Sequence, residues 1–200
     1  MRHIVSLCAR YRALLGALAA VLLGACNPSL NWRETRIADT ELAAMMPCKP
    51  AHHQRSVPLA GLTVTMHMTA CDADGATFAV AHAVIPDSSA APGLLAEWRK
   101  TTLANMAATS VREARDPVES PAPAPTSPGS SMLTLAQGRR GDGTPVILQG
   151  VWFARGSQVF HAAVYAPVHA PVHAPVNAPE QAASVTTTSA EPFFSGLKFQ

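Results

Sequence analysis

The chain lacks the short patterns through which many enzymes can be read directly. It has no G-x-S-x-G, no H-E-x-x-H and no glycine loop of the kind that cradles phosphate, so serine hydrolysis, zinc hydrolysis and nucleotide binding have no motif to stand on. Only an enzyme whose catalytic residues converge in space would leave no such trace. Cysteine is scarce, four in 200 residues, and none stands in a C-x-x-C, which argues against a soft-metal site. A membrane span needs roughly 20 apolar residues. The N-terminal apolar run, residues 13–25, is shorter and meets Asn27, Pro28 and Asn31. The net charge is only +2, which leaves no basic footprint for nucleic acid.

What is present begins with Arg2, Arg10 and Arg12 ahead of that apolar run, and with Gly24 and Ala25 just before Cys26. This is the layout of an export signal. Leu23-Gly24-Ala25-Cys26 resembles the lipobox of a bacterial lipoprotein signal. The resemblance implies cleavage of residues 1–25, acylation of the Cys26 thiol and amine, and a short tether over residues 26–33. Asn27 is not the Asp that typically retains lipoproteins in the inner membrane, so the resemblance implies the periplasmic face of the outer membrane. Several acyl chains make a durable anchor, each buried methylene contributing about 0.8 kcal/mol. Loss of the three arginines leaves about one negative charge. The mature chain, about 175 residues, suits one domain with its own core. Cys8 leaves with the signal and Cys26 carries lipid, so Cys48 and Cys71 remain. Two thiols in an oxidising compartment predict one disulfide.

Residues 34–200 read as a single α+β domain interrupted by low-complexity loops at 117–131 and 166–181. After a polar opening, residues 41–46 read as a short helical turn, and Pro47 and Pro50 mark an edge or turn. Residues 62–70 alternate without a break. Leu62, Val64, Met66, Met68 and Ala70 take one face, and Thr63, Thr65, His67 and Thr69 the other. The turn signal "CDADG" then leads into a second strand. Phe78, Val80 and Val84 are expected on the face used by Val64, Met66 and Met68. Pro92 opens a helix with no breaker through Thr109, and Leu94, Leu95, Trp98, Thr102 and Met106 fall on one half of it. Proline-rich "ESPAPAPTSPGSS" reads as a solvated loop. "MLTLAQG", "TPVILQGVWF" and "QVFHAAVYA" read as an antiparallel meander. The repeat "APVHAPVHAPVNAP" is barred from helix by its prolines. At the end, Phe193, Phe194, Leu197 and Phe199 are apolar enough to pin a terminal helix and "FFSGLKF" onto the core.

This order, an edge segment, a hairpin, one long amphipathic helix, a meander and a short terminal helix, resembles the Mog1/PsbP-like fold, an antiparallel sheet packed by helices. "NWRETRI", "MPCKP", "TACDADGATFAVAHA" and "FFSGLKF" look like a group of small uncharacterised lipoproteins of beta-proteobacteria. The resemblance covers most of the mature chain and implies no activity.

Four features invite chemistry. Met66, His67 and Met68, with His52, His53 and His82 near in sequence, have the donor types of a copper or zinc site. Strand alternation sends the two methionines into a core, His67 to the opposite face and His82 to the methionine side, leaving His52, His53 and His67 as a weak metal alternative. His161, His169 and His173 cluster around the repeat, but a disordered arm lacks ligand number and rigidity. Arg140-Gly141-Asp142 is the integrin tripeptide, set in "RRGDG", where a hairpin turn needs those residues anyway. Asp72, Asp74, Asp87 and Asp142 fall in expected turns or loops. The sequence therefore predicts a lipid-anchored binding or accessory module of the bacterial envelope, without cofactor or enzymatic activity. Its partners are the membrane through its anchor and another envelope protein, with a periplasmic metal-binding protein as the alternative.

Overall fold

Tight turns decide how the strands of this chain meet. The computed structural model describes residues 30–115, 132–168 and 190–200. The signal segment, Cys26, the loop at 117–131, the repeat beyond residue 168, His169 and His173 lie outside the described residues. Among the described residues ten strands and two helices follow in order, every strand pair being antiparallel. A small sheet has the order β1-β2-β10, from Arg33–Arg36, Leu42–Met46 and Lys198–Phe199. The large sheet contains β3 (Ala51–Leu59), β4 (Leu62–Ala73), β5 (Ala76–Val84), β6 (Ser110–Arg115), β7 (Met132–Arg139), β8 (Pro145–Arg155) and β9 (Gln158–Pro167). Its order is β3-β4-β5-β9-β8-β7-β6. Helix α1 (Ala91–Asn105) joins β5 to β6, and α2 (Glu191–Ser195) precedes β10.

The β4–β5 hairpin closes on Asp74 and Gly75 alone, at φ 51° and 73°. Positive φ at both central residues is what a two-residue turn needs to match strand twist. It pairs Ala73 with Ala76 and so sets Cys71 opposite Phe78, Thr69 opposite Val80 and Met68 opposite Ala81. The expected grouping is therefore corrected. Phe78 and Val80 share a face with Thr69 and Cys71, not with Val64 and Met66, because the strand runs on to Ala73 instead of ending at Ala70. A one-residue change of register exchanges the faces of a strand.

Both faces of the large sheet are packed, each by a different layer. On one, Phe78, Val80, Phe160 and Ala162 meet Ile37, Leu42, Met46 and Phe193 from the small sheet and α2. Phe78, Phe160 and Phe193 have no exposed surface, and burying each contributes about 1.5–3 kcal/mol. The disulfide Cys48–Cys71 ties this layer to β4, with Cα atoms 6.0 Å apart. Leu30 and Trp32 already pack here, and Asn31 N–H donates to the Pro47 carbonyl, so the packed chain reaches back into the segment read as tether. Residues 42–46 form a strand, not the expected helical turn. Pairing with β1 and β10 buries Leu42, Ala43, Ala44 and Met46, and that outweighs the helix preference of Leu, Ala and Met.

On the other face lies α1, through Ala91, Leu94, Leu95 and Trp98, over Ala136, Leu148, Trp152, Val159 and Ala163. The helix ends at Asn105, four residues before the expected stop. There Met106 is seated on β7: its carbonyl accepts from Arg139 N–H at 2.7 Å, and a Cβ at Gly138 would come within 2.3 Å of that oxygen. Glycine in a strand marks such a close approach of backbones. Arg99 of α1 fastens the helix further, donating Nε–H to buried Thr134 of β7 at 3.0 Å and pairing with Glu113 of β6. Thr134→Val is expected to cost about 1 kcal/mol of unfolding free energy in urea titration, since it removes one partly buried hydrogen bond without changing volume.

Candidate functional site

The route of the chain leaves part of one sheet face uncovered. Helix α1 must carry the chain from β5, in the middle of the sheet, to β6 at its far edge, and it rests mainly on β8. Near its C-terminal end, Leu59, Val64 and Ala83 are buried with the helix, while the stretches of β3 and β4 around His53, Arg55 and Met68 stay open on that side. There a groove of about 430 Å³ runs between helix and strands. Its size is that of a small-molecule site.

Alternation in each strand determines what faces the groove. From β3 come His53, Arg55, Val57 and Leu59, from β4 Met66 and Met68, and from β5 Ala81. Arg55 lies directly opposite Met66, and His53 opposite Met68. Strand β9 contributes His161 and Tyr165, and the helix flank Trp98, Thr101, Thr102 and Asn105, with Met106 and Arg139 beside its C-terminal end. The two methionines expected in a core thus line an opening, and Met68 is 39% exposed. No described lining residue is a carboxylate, and neither Arg55 nor Arg139 forms an ion pair among the described residues.

His161 is the one ionisable base sunk into this site, 7% exposed. Its ring stacks on Trp152 at 4.1 Å and meets the edge of Trp98 at 5.6 Å. Nε2 of His161 and Nε1 of Trp152 are both buried without a hydrogen-bond partner among the described residues. A Cβ at Gly150 would lie 3.1 Å from that Nε2, so glycine there makes room for the imidazole. Burial pushes the His161 pKa down to about 3, which keeps the ring neutral at physiological pH. Tyr165 is raised by burial, against an opposing effect of Arg140. With no carboxylate to orient it, the neutral imidazole can exchange one hydrogen bond with a guest but has no partner for proton relay.

The histidines read as a weak metal set are divided by the sheet. His52 and His67 lie on the small-sheet side and His53 in the groove, because neighbours along β3 alternate. His52 and His53 belong to strand β3. His82 pairs with His67 across β4–β5 and stacks on it at 5.0 Å, a correction to its expected place beside the methionines. Its pKa is lowered by burial first and by His67 second. Among the described residues no three His, Cys, Asp or Glu side chains are grouped to hold a metal ion.

The remaining motifs have structural roles. Gly143, at φ 83°, and the Asp142 carboxylate accepting from Thr144 N–H shape the turn after Arg140. Asp87 caps the short helical turn at Ser89, and Asp72 accepts from Thr77 Oγ1. Ser195 and Lys198 stand at the S-x-x-K spacing, but Ser195 Oγ donates to the Pro192 carbonyl and Lys198 pairs with Glu34. Arg55 and Arg139 carry no sequence signal; only the pairing of the polar strand β3 with β4 brings Arg55 to the groove. Among the described residues no helix is long and apolar enough to cross a membrane. Comparison with protein-family models, with curated proteins and with solved structures finds no match for this chain.

Proposed function

We propose that the chain is a lipid-anchored binding module of the bacterial envelope, held by Cys26 at the periplasmic face of the outer membrane, with the groove beside α1 as its ligand site. Its fold is taken as Mog1/PsbP-like, and its relatives as the small beta-proteobacterial lipoproteins that "MPCKP" and "TACDADGATFAVAHA" resemble. The observation that carries the binding role is the groove, a cleft of about 430 Å³ that combines an apolar wall with arginines and a buried imidazole and has no acidic lining residue among those described. Binding sites combine an apolar wall with few polar groups in this manner. The lipobox carries the location. Leu30 already packs against the core, so few residues separate Cys26 from the folded chain, and at roughly 3.5 Å each the tether reaches less than about 20 Å. Such a short reach favours work at the bilayer surface with another envelope protein.

Cells making the wild-type chain are expected to incorporate radiolabelled palmitate into it and to retain it in the envelope fraction. Cys26→Ser removes the label and leaves the precursor uncleaved. Mass spectrometry finding an unmodified, full-length wild-type chain in the cytoplasm overturns the anchor. Crosslinked pull-downs that return no reproducible envelope protein overturn the accessory role.

A further inference from the structure

From the charge and shape of the groove we infer that its ligand is an anionic amphiphile with a single alkyl chain, a fatty acid or a lysophospholipid. This deepens the reading of the groove as the ligand site and rests on it.

Two observations select that chemistry. The apolar wall is built from Leu59, Met66, Met68 and Trp98. Methionine is unbranched and adapts its shape, so such a wall accepts a flexible chain better than it imposes one rigid outline. The formal charges on the lining are those of Arg55 and Arg139, with no described carboxylate to neutralise them. A guanidinium binds carboxylate or phosphate through paired N–H donors, whereas a cationic head would meet like charge. His161, neutral, lines the groove with its Nε2 buried on the side of Gly150 and Trp152, so it adds no charge to the site. Arg139 is already turned in part to the Gly143 carbonyl at 2.8 Å, which leaves Arg55 the freer of the two for the head group.

The test uses the full-length chain in nanodiscs, with protein-free nanodiscs subtracted for partitioning. Brominated dodecanoate is titrated while tryptophan fluorescence is followed, because bromine on the chain quenches a ring it touches and Trp98 lines the groove. Saturable quenching with a Kd below about 100 μM is expected. Trp98→Phe should remove most of the quenching, and dodecyltrimethylammonium should compete at least tenfold more weakly than dodecanoate. Arg55→Glu and Arg139→Glu are surface changes that leave the fold intact by circular dichroism, and each should weaken binding at least tenfold. Competition by a lauroyl lysophospholipid with an anionic head group, matched to dodecanoate in chain length, distinguishes the sources: tighter binding than dodecanoate assigns a membrane lipid, weaker binding a free fatty acid. Non-saturable quenching, equal competition by the cation, or unchanged affinity in both arginine variants overturns the inference. The envelope reading stands or falls separately, on Cys26 acylation and fractionation.

Discussion

Replacing Cys48 and Cys71 together by alanine lowers the free energy of unfolding by about 3 kcal/mol. The bridge closes a loop with a sequence separation of 23 residues, and on the chain-entropy account a loop of that length constrains the unfolded ensemble by about that much. Placement adds a second consequence. The crosslink joins the segment after β2 to β4, so it connects the small-sheet layer to the large sheet, and that layer covers Phe78 and Phe160. Its loss should let the small sheet loosen before the α1 side does. Urea unfolding of the variant should show a midpoint lower by roughly 1–2 M. Hydrogen exchange should rise first in β1, β2 and β10. Treating the wild type with reductant should reproduce both effects, and a variant with an unshifted midpoint would show that the bridge does not hold the layers together.

Acid weakens the fold well above the range where carboxylates titrate. His161 has a folded pKa of about 3 against an ordinary value of 6.5. The folded state therefore binds no proton at this site while the unfolded chain does, so stability is full above about pH 6.5 and falls steadily as pH drops toward 3. At about 1.4 kcal/mol for each unit of pH, the loss from His161 alone between pH 7.5 and 5 is about 2 kcal/mol. His82 acts in the same direction, its pKa being lowered by burial and by His67. His161→Phe keeps an aromatic ring against Trp152 and Trp98 but has no nitrogen to protonate. Its stability should fall by about 2 kcal/mol less over the same pH interval, measured by urea titration at each pH. Equal acid sensitivity in wild type and variant would mean that the ring opens to water when charged.

The alternating run from Leu62 and the meander of β7, β8 and β9 were legible because their residues repeat with the period of a strand. The long helix was legible because proline opens it and apolar residues recur on one side. Strand β3 was not. "AHHQRSVPL" is polar, carries a proline and forms an exposed edge, so it has no buried face to impose a pattern. It is a strand because β4 offers it partners and because Ala60 and Gly61 turn the chain at φ 48° and 81°. Alanine in that conformation is uncommon, so the turn lacks the usual signal. Strand β2 was misread for the opposite reason, since its residues favour helix locally and only burial between two strands overrides them.

The sequence by itself determined the number of cysteines, the presence of strands and one long helix, and the lipobox on which the expected anchor rests, because these depend on residue identity and short-range spacing. Tertiary structure alone decided which residues share a face and where an opening lies. The two-residue turn at Asp74 and Gly75 sets the register across β4 and β5, and the path of α1 toward the far edge of the sheet leaves the stretches of β3 and β4 around Arg55 and Met68 exposed. The β3–β4 pair Arg55 and Met66, Trp98 and His161 come from three separate parts of the chain, and no local preference encodes their meeting. They meet because hydrogen-bonded pairing and the burial of two cores bring those strands and that helix together.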